Sequence, residues 1–165
     1  MDVARDWPEG LIVTVHEEEA IAYGNDNAFI DEDGAVFQSP WEEGGRLPQL
    51  YGPEGKEKEV MSQYQQLSQA LLRTGQSIDT LVLDERGGWQ FTDRSGMRVR
   101  LGKENIMERM QRYFVVFQRA NLLEEMAKIR SVDTRYPDGV AVDWKDVVDG
   151  YEVAKAYKTQ REMSL

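Results

Sequence analysis

Apolar side chains recur along this 165-residue chain with two periods, two and about 3.6, and the switches between them mark out the elements. Leu11, Val13 and Val15 alternate with Ile12, Thr14 and His16, which predicts a strand over Leu11–His16 whose partners are missing from the sequence. Short strands are predicted over Ala20–Tyr23, Ala28–Asp31 and Ala35–Gln38. Gly24-Asn25-Asp26-Asn27 and Glu32-Asp33-Gly34 separate them as hairpin signals. Gln38–Arg46 reads as loop, with Trp41 either packed on the sheet or exposed, and Leu47–Gly55 as irregular chain. The period then lengthens. Val60, Tyr64, Leu67 and Leu71 make one stripe of a helix from Lys56 to about Arg73, and Gly75 stands where a helix ends. Ile78–Asp84, Trp89–Thr92 and Met97–Leu101 return to strand patterning around Glu85-Arg86-Gly87-Gly88 and Asp93-Arg94-Ser95-Gly96. A second helix follows over about Glu104–Ala120, with Ile106, Met110, Tyr113, Phe114 and Phe117 inward and a basic surface at Arg109 and Arg112. An extra helical turn is predicted within Asn121–Lys128.

The stretch Val132–Trp144 carries period-two patterning on both sides of Tyr136-Pro137-Asp138-Gly139, where proline presets φ and glycine accepts a positive one. A closing β-hairpin is expected, with Val132–Tyr136 as near arm and Val140–Trp144 as far arm. If the far arm is the last strand, it is a sheet edge with unpaired N–H and C=O groups. In the tail, Tyr151, Ala154 and Tyr157 make one stripe of a marginal helix with nothing to pack against, so mobility is expected there. Strands, helix, three strands, helix, hairpin is an α+β order: a mixed, mainly antiparallel sheet with two helices on one face.

Composition narrows the function. Thirty acidic and twenty basic side chains give a formal charge of -10, and no dense Lys/Arg cluster is present to displace phosphate counterions, so nucleic acid is not an expected partner. There is no cysteine, which removes disulfides and thiolate chemistry. No apolar run approaches the roughly 20 residues of a membrane helix, and Met1-Asp2-Val3-Ala4-Arg5-Asp6 is not a signal peptide.

Catalytic patterns fail one by one. His16 is the only histidine, no Gly-x-Ser-x-Gly elbow precedes a helix, and Arg86-Gly87-Gly88 has no following helix N-terminus to hold a phosphate. Asp31-Glu32-Asp33-Gly34 looks like part of a calcium loop, but the first and twelfth positions would be Phe29 and Pro40. Carboxylates are plentiful, and nothing singles out two of them as an acid pair. No cofactor or metal is expected, and a binding module is the reading the residues favour.

Four patches, in order, resemble the periplasmic β-domain of the bacterial cell-division family FtsQ, called DivIB in Gram-positive bacteria. Trp7-Pro8 with Leu11–Glu17 is similar to the last strand of the family's preceding POTRA domain. Phe29-Ile30-Asp31-Glu32-Asp33-Gly34-Ala35-Val36-Phe37 follows its hairpin pattern. Leu50-Tyr51-Gly52-Pro53-Glu54-Gly55 is similar to a loop of the proteobacterial members. Val132-Asp133-Thr134-Arg135-Tyr136-Pro137-Asp138-Gly139-Val140-Ala141-Val142-Asp143-Trp144 follows the closing motif. The family's usual proline near Glu19-Ala20 is absent.

The resemblance implies three parts: residues 1–19 as a C-terminal remnant of a POTRA domain, residues 20–145 as the β-domain, and residues 146–165 as a variable tail. It implies a non-enzymatic division-site scaffold on the periplasmic face of the inner membrane, anchored only through a segment absent from this chain. Its partners would be FtsB- and FtsL-like proteins, and an FtsB-like strand would add beside the last strand of the sheet and so help control septal wall synthesis. By position, the partner-binding residues are Arg86, Arg135, Tyr136, Asp138, Gly139, Val140 and Trp144. Each also has a plain alternative: Tyr136 and Trp144 as cover for the core, Arg135 paired with Asp133 or Asp143. Two rival functions stay open, a carboxylate-based wall hydrolase and a free soluble adaptor with the same fold.

Overall fold

The computed structural model describes residues 2–6, 10–14, 19–38, 46–148 and 151–158, with side chains over 19–38 and 46–145. His16 and Trp41 lie outside the described residues. The first two strands, β1 (Asp2–Asp6) and β2 (Gly10–Thr14), pair antiparallel as a sheet of their own. The expectation that the strand beginning at Leu11 lacks a partner in the chain is therefore corrected. Its partner is Asp2–Asp6, a segment too charged to show apolar alternation.

The remaining strands are β3 (Ala22–Tyr23), β4 (Phe29–Ile30), β5 (Val36–Phe37), β6 (Gln49–Tyr51), β7 (Ile78–Leu83), β8 (Trp89–Asp93), β9 (Arg98–Gly102), β10 (Ile129–Asp133), β11 (Ala141–Val148) and β12 (Tyr151–Lys158). They form one sheet in the order β12-β11-β10-β9-β8-β7-β6-β3-β4-β5. Three neighbouring pairs are parallel, β3 with β6, β6 with β7 and β9 with β10, and the other pairs are antiparallel. Parallel neighbours need a crossover, and two of these pairs are joined by the helices: α1 (Glu57–Leu71) between β6 and β7, α2 (Ile106–Leu122) between β9 and β10. Strands β6, β7, β9 and β10 all run the same way, and both crossovers step across the sheet in the same direction. Right-handed connections then put both helices on one face, which is the α+β architecture expected.

That face is the core. One register row, Leu50–Leu81–Phe91–Val99–Val132–Val142, crosses six strands, and every member is at most 2 % exposed. From α1, Val60, Met61, Leu67 and Leu71 pack onto it, and from α2 Met110, Tyr113, Val116 and Ala120. Tyr113 meets Phe91 edge-on, with ring centroids 6.0 Å apart at 89°. Gly75 ends the first helical segment at φ +71°, as its position in the sequence predicts.

Three expectations change near the ends of the sheet. Gln49–Tyr51 is not irregular: it is β6, the parallel link between β3 and β7, and at three residues it is too short for a period to show. The near arm of the closing hairpin is Ile129–Asp133 rather than Val132–Tyr136. Asp133 pairs with Ala141, leaving residues 134–140 as the connection. The cause is Thr134, whose N–H and hydroxyl both donate to the Arg100 carbonyl of β9, at 3.0 and 2.8 Å, and so draw the chain away from β11. Finally, the tail segment Tyr151–Lys158 is a strand and not a marginal helix. It pairs antiparallel with β11 over eight residues, so Val140–Trp144 is not an open edge.

Candidate functional site

On the sheet face opposite the helices, polar residues share the register rows. Gln90 lies opposite Arg100, Arg100 beside Asp133, and Asp133 opposite Ala141. Arg135, two residues past the end of β10, folds back on Asp133. Its Nε donates to Oδ1 at 2.9 Å and its Nη2 to Oδ2 at 2.7 Å, while its backbone N–H adds a third bond at 3.1 Å. Burial alone would raise the Asp133 carboxyl, but these bonds, with the charges of Arg135 and Arg100, outweigh it and hold the group below its usual value. The same bonds raise Arg135. A guanidinium carries five N–H groups, so a fork held by two of them still presents three in a fixed direction. The Arg135 side chain is 51 % exposed.

Arg86 reaches the same place from the β7–β8 turn. The turn is closed by Asp84, whose Oδ1 accepts from the N–H groups of Arg86 (2.9 Å) and Gly88 (2.8 Å). Arg86 and Arg135 together line a cleft of about 450 Å³ with Asp84, Gly88, Gly102, Lys103, Glu104 and Arg109. Four cations face two carboxylates there, so the cleft suits acidic side chains. A second cleft of about 240 Å³ shares Asp84, Gly88, Gly102 and Arg135 and extends over Val82, Gln90 and Arg100. Arg135 stands between the two.

Gly102 is what lets the cationic groups converge. It has φ +75°, and a Cβ there would run into the Arg109 guanidinium and lie 3.1 Å from Arg135 Cγ. Arg109 in turn donates to the Leu101 carbonyl. One helical step on, Arg112 donates to the Tyr136 carbonyl at 2.6 Å and pairs with Glu108 at 3.2 Å. The i, i+3 spacing of the two arginines puts both on one helix face, and each grips a backbone carbonyl beside the site.

The residues predicted from the sequence are therefore brought to one end of the sheet with unequal access. Arg86, Arg135 and Asp138 are exposed and Tyr136 is half-buried. Gly139 and Val140 are buried, Val140 at 2 % exposure within the core cluster. Trp144 lies opposite Ile129 and packs partly buried against that cluster. Sequence reasoning did not single out Gly102 or Lys103, named Asp133 only as one possible partner of Arg135, and took Arg109 and Arg112 only as a basic surface. Their i, i+3 spacing was the available signal. Among the described residues, no cluster of three or more His, Cys, Asp or Glu side chains is placed to hold a metal, and no helix is long and apolar enough to cross a membrane.

The family model for "Cell division protein FtsQ/DivIB, C-terminal" matches residues 20–135. The cell division protein FtsQ of Shewanella oneidensis is 36 % identical over 146 residues, covering 87 % of this chain and 55 % of that protein. That of Hahella chejuensis is 34 % identical over 146 residues, covering 87 % and 51 %. That of Escherichia coli is 31 % identical over 151 residues, covering 87 % and 54 %. The chain spans about half the length of these relatives. It belongs, through its C-terminal β-domain, to the FtsQ/DivIB family of bacterial cell-division proteins.

Proposed function

We propose that the chain is the partner-binding part of a non-enzymatic division-site scaffold, which receives a strand from an FtsB-like protein at the β11 end of its sheet. The observation that carries this reading is the convergence of Arg86 and Arg135 on one cleft beside the connection that holds Tyr136 and Asp138. Strand addition supplies affinity through the backbone, while side chains beside the edge supply selectivity. Arginine forks suit carboxylates, so the strand or its flank carries Asp or Glu. Residues 20–145 form this module. Residues 1–19 are the end of a POTRA domain, a division supported by the family match beginning at residue 20 and by β1 and β2 forming a two-stranded sheet of their own among the described residues. The module works on the periplasmic face of the inner membrane, together with an FtsL-like protein, and is held there by a segment outside this chain.

The test is a titration of a labelled periplasmic segment of the FtsB-like partner. Arg86→Glu is the cleanest variant, because the side chain is exposed and only its backbone N–H closes the Asp84 turn. Affinity is expected to fall about tenfold or more, which is about 1.4 kcal/mol, with unchanged thermal unfolding. Equal affinity in a folded variant would remove the cleft from the site. Turnover of peptidoglycan fragments by the pure protein, abolished by one carboxylate substitution, would favour the hydrolase instead.

A further inference from the structure

The strand that covers β11 belongs to the chain itself, and this bears on how the site is regulated. We propose that β12 is a built-in competitor: it occupies the β11 edge in cis, and a partner strand enters by displacing it. The inference rests on the strand-addition reading above and adds a control to it.

Three observations carry it. The first is the shape of the pairing. β12 pairs with β11 over eight residues, from Ala141 opposite Lys158 to Val148 opposite Tyr151. Only four of the β11 residues, Ala141 to Trp144, are also paired with β10. From Lys145 to Val148 the two strands overhang the sheet as a ribbon with no third strand among the described residues, and an isolated two-stranded ribbon is marginally stable in water.

The second is composition. Register sets Ala156 opposite Asp143 and Ala154 opposite Lys145, and alanine is among the weaker strand formers. Such a strand is a replaceable one.

The third is a polar atom left over. Asp143 Oδ1 is buried and finds no hydrogen-bond partner among the described residues, although a buried carboxylate oxygen gains from a donor. The alanine opposite it in β12 has no side-chain donor to offer. An incoming strand with Lys, Arg, Asn or Gln at that position would satisfy the oxygen, so exchange has a local gain as well as a cost. The cost is the proximity of β12, held by a two-residue link at an effective concentration on the order of millimolar. A ligand that binds only the open form has its apparent affinity lowered by the open fraction.

The chain has no cysteine, so a clean lock is available in the full-length chain. Ala141→Cys with Lys158→Cys joins directly opposed residues at the far end of β12, while the short link already holds the near end. The second variant is Lys155→Pro: Lys155 lies opposite Trp144 in a hydrogen-bonded pair, so proline removes a ladder N–H and loosens β12. Both are titrated with a synthetic peptide carrying the strand-forming segment of the FtsB-like partner. The oxidised lock is expected to bind about tenfold more weakly or worse and to recover on reduction, and Lys155→Pro to bind several-fold more tightly. Weaker binding by Lys155→Pro, with the oxidised lock unaffected, would show that the partner adds to the outer edge of β12. That overturns the competitor and leaves strand addition standing. Equal affinity in all forms overturns it too, and places the partner away from this hairpin. Should no form bind, wild type included, the strand-addition reading itself fails and the competitor with it.

Discussion

The guanidinium of Arg112 donates to the backbone carbonyl of Tyr136 at 2.6 Å, joining α2 to the connection between β10 and β11 across 24 residues of sequence. Thr134 fixes the start of the same connection to β9. Tyr136 therefore does not sit on a free loop: its position is set from the helix layer through the edge of the sheet. An interaction surface built this way is preorganised, which lowers the entropy lost when a partner binds.

Replacing Arg112 tests this directly. The side chain is 15 % exposed, so its stem is packed as well as its charge paired. Arg112→Met keeps most of the stem and removes both the bond to Tyr136 and the pair with Glu108. We expect a loss of about 1.5–3 kcal/mol in urea unfolding, the range for hydrogen bonds to charged groups. Amide shifts in NMR should change at Tyr136 and Asp138 more than in α1.

The Asp133–Arg135 fork makes a second prediction, about acid. The folded carboxyl titrates below its unfolded value, so the native state binds fewer protons there. Its contribution is present above the ordinary Asp value of about 3.9 and is lost as pH falls through the folded value. Arg135→Gln removes the largest favourable bonds and leaves burial opposed mainly by Arg100, so the Asp133 pKa should rise. The readout is a carboxyl carbon titration by NMR. An unmoved midpoint would mean that Arg100, not Arg135, holds the charge. For this reason a charge reversal at Arg135 is a poor probe of partner binding: it would set a Glu against Asp133.

The sequence exposed these features unevenly, for physical reasons. The row from Leu81 to Val142 was legible because alternation on each strand states which face is buried. The fork was half legible, since Asp133 and Arg135 are two apart and pairing was one of the open choices. Gln49–Tyr51 was not, because three residues cannot display a period, and neither was Arg112 with Tyr136, because nothing local links them. β12 was legible in principle. Asp149-Gly150 between Val147-Val148 and Tyr151 is a two-residue hairpin signal, but Tyr151, Ala154 and Tyr157 fit a helical stripe as well and drew the reading away from it. Pairing with β11 decides between the two, and a neighbour's edge cannot be read from the segment itself.

A third prediction concerns the link between the α2 layer and the β8–β9 turn. The Tyr113 hydroxyl donates to Gln76 Oε1 at 2.6 Å, Gln76 donates to Asp93 Oδ2 at 2.9 Å, and Asp93 Oδ1 accepts from Ser95 and Met97. Burial, with the Asp93 charge nearby, pushes the Tyr113 phenol well above its usual value. A raised acid is neutral in the fold, so its contribution is present below the ordinary Tyr value of about 10 and is lost as pH rises beyond it. Tyr113→Phe should cost about 1 kcal/mol at neutral pH and flatten the alkaline loss of stability. Urea midpoints compared at neutral and strongly alkaline pH read both effects.

The fourth prediction isolates the cleft from the fold. Gly102 ends β9 at φ +75°, with Arg109 and Arg135 crowding the space a side chain would need. Gly102→Ala therefore faces two obstacles, a left-handed backbone that costs a non-glycine residue about 1 kcal/mol and a collision with the Arg109 guanidinium beside the Arg135 stem. Arg135 is tethered to Asp133 by three bonds, whereas Arg109 is held, among the described residues, by the Leu101 carbonyl. Arg109 should be the one to yield, opening the cleft on its helix side while the fork stays in place. Stability should drop by about 1–2 kcal/mol, with the Asp133 titration unchanged and binding of the FtsB-like segment weakened. Gly87→Ala is the matched control. It too has a positive φ, +87°, but nothing lies within 4 Å of the added carbon, so it carries the backbone strain without the collision. If both variants weaken binding equally, backbone strain near the cleft is the cause. If only Gly102→Ala does, the convergence of the arginines is what the partner reads.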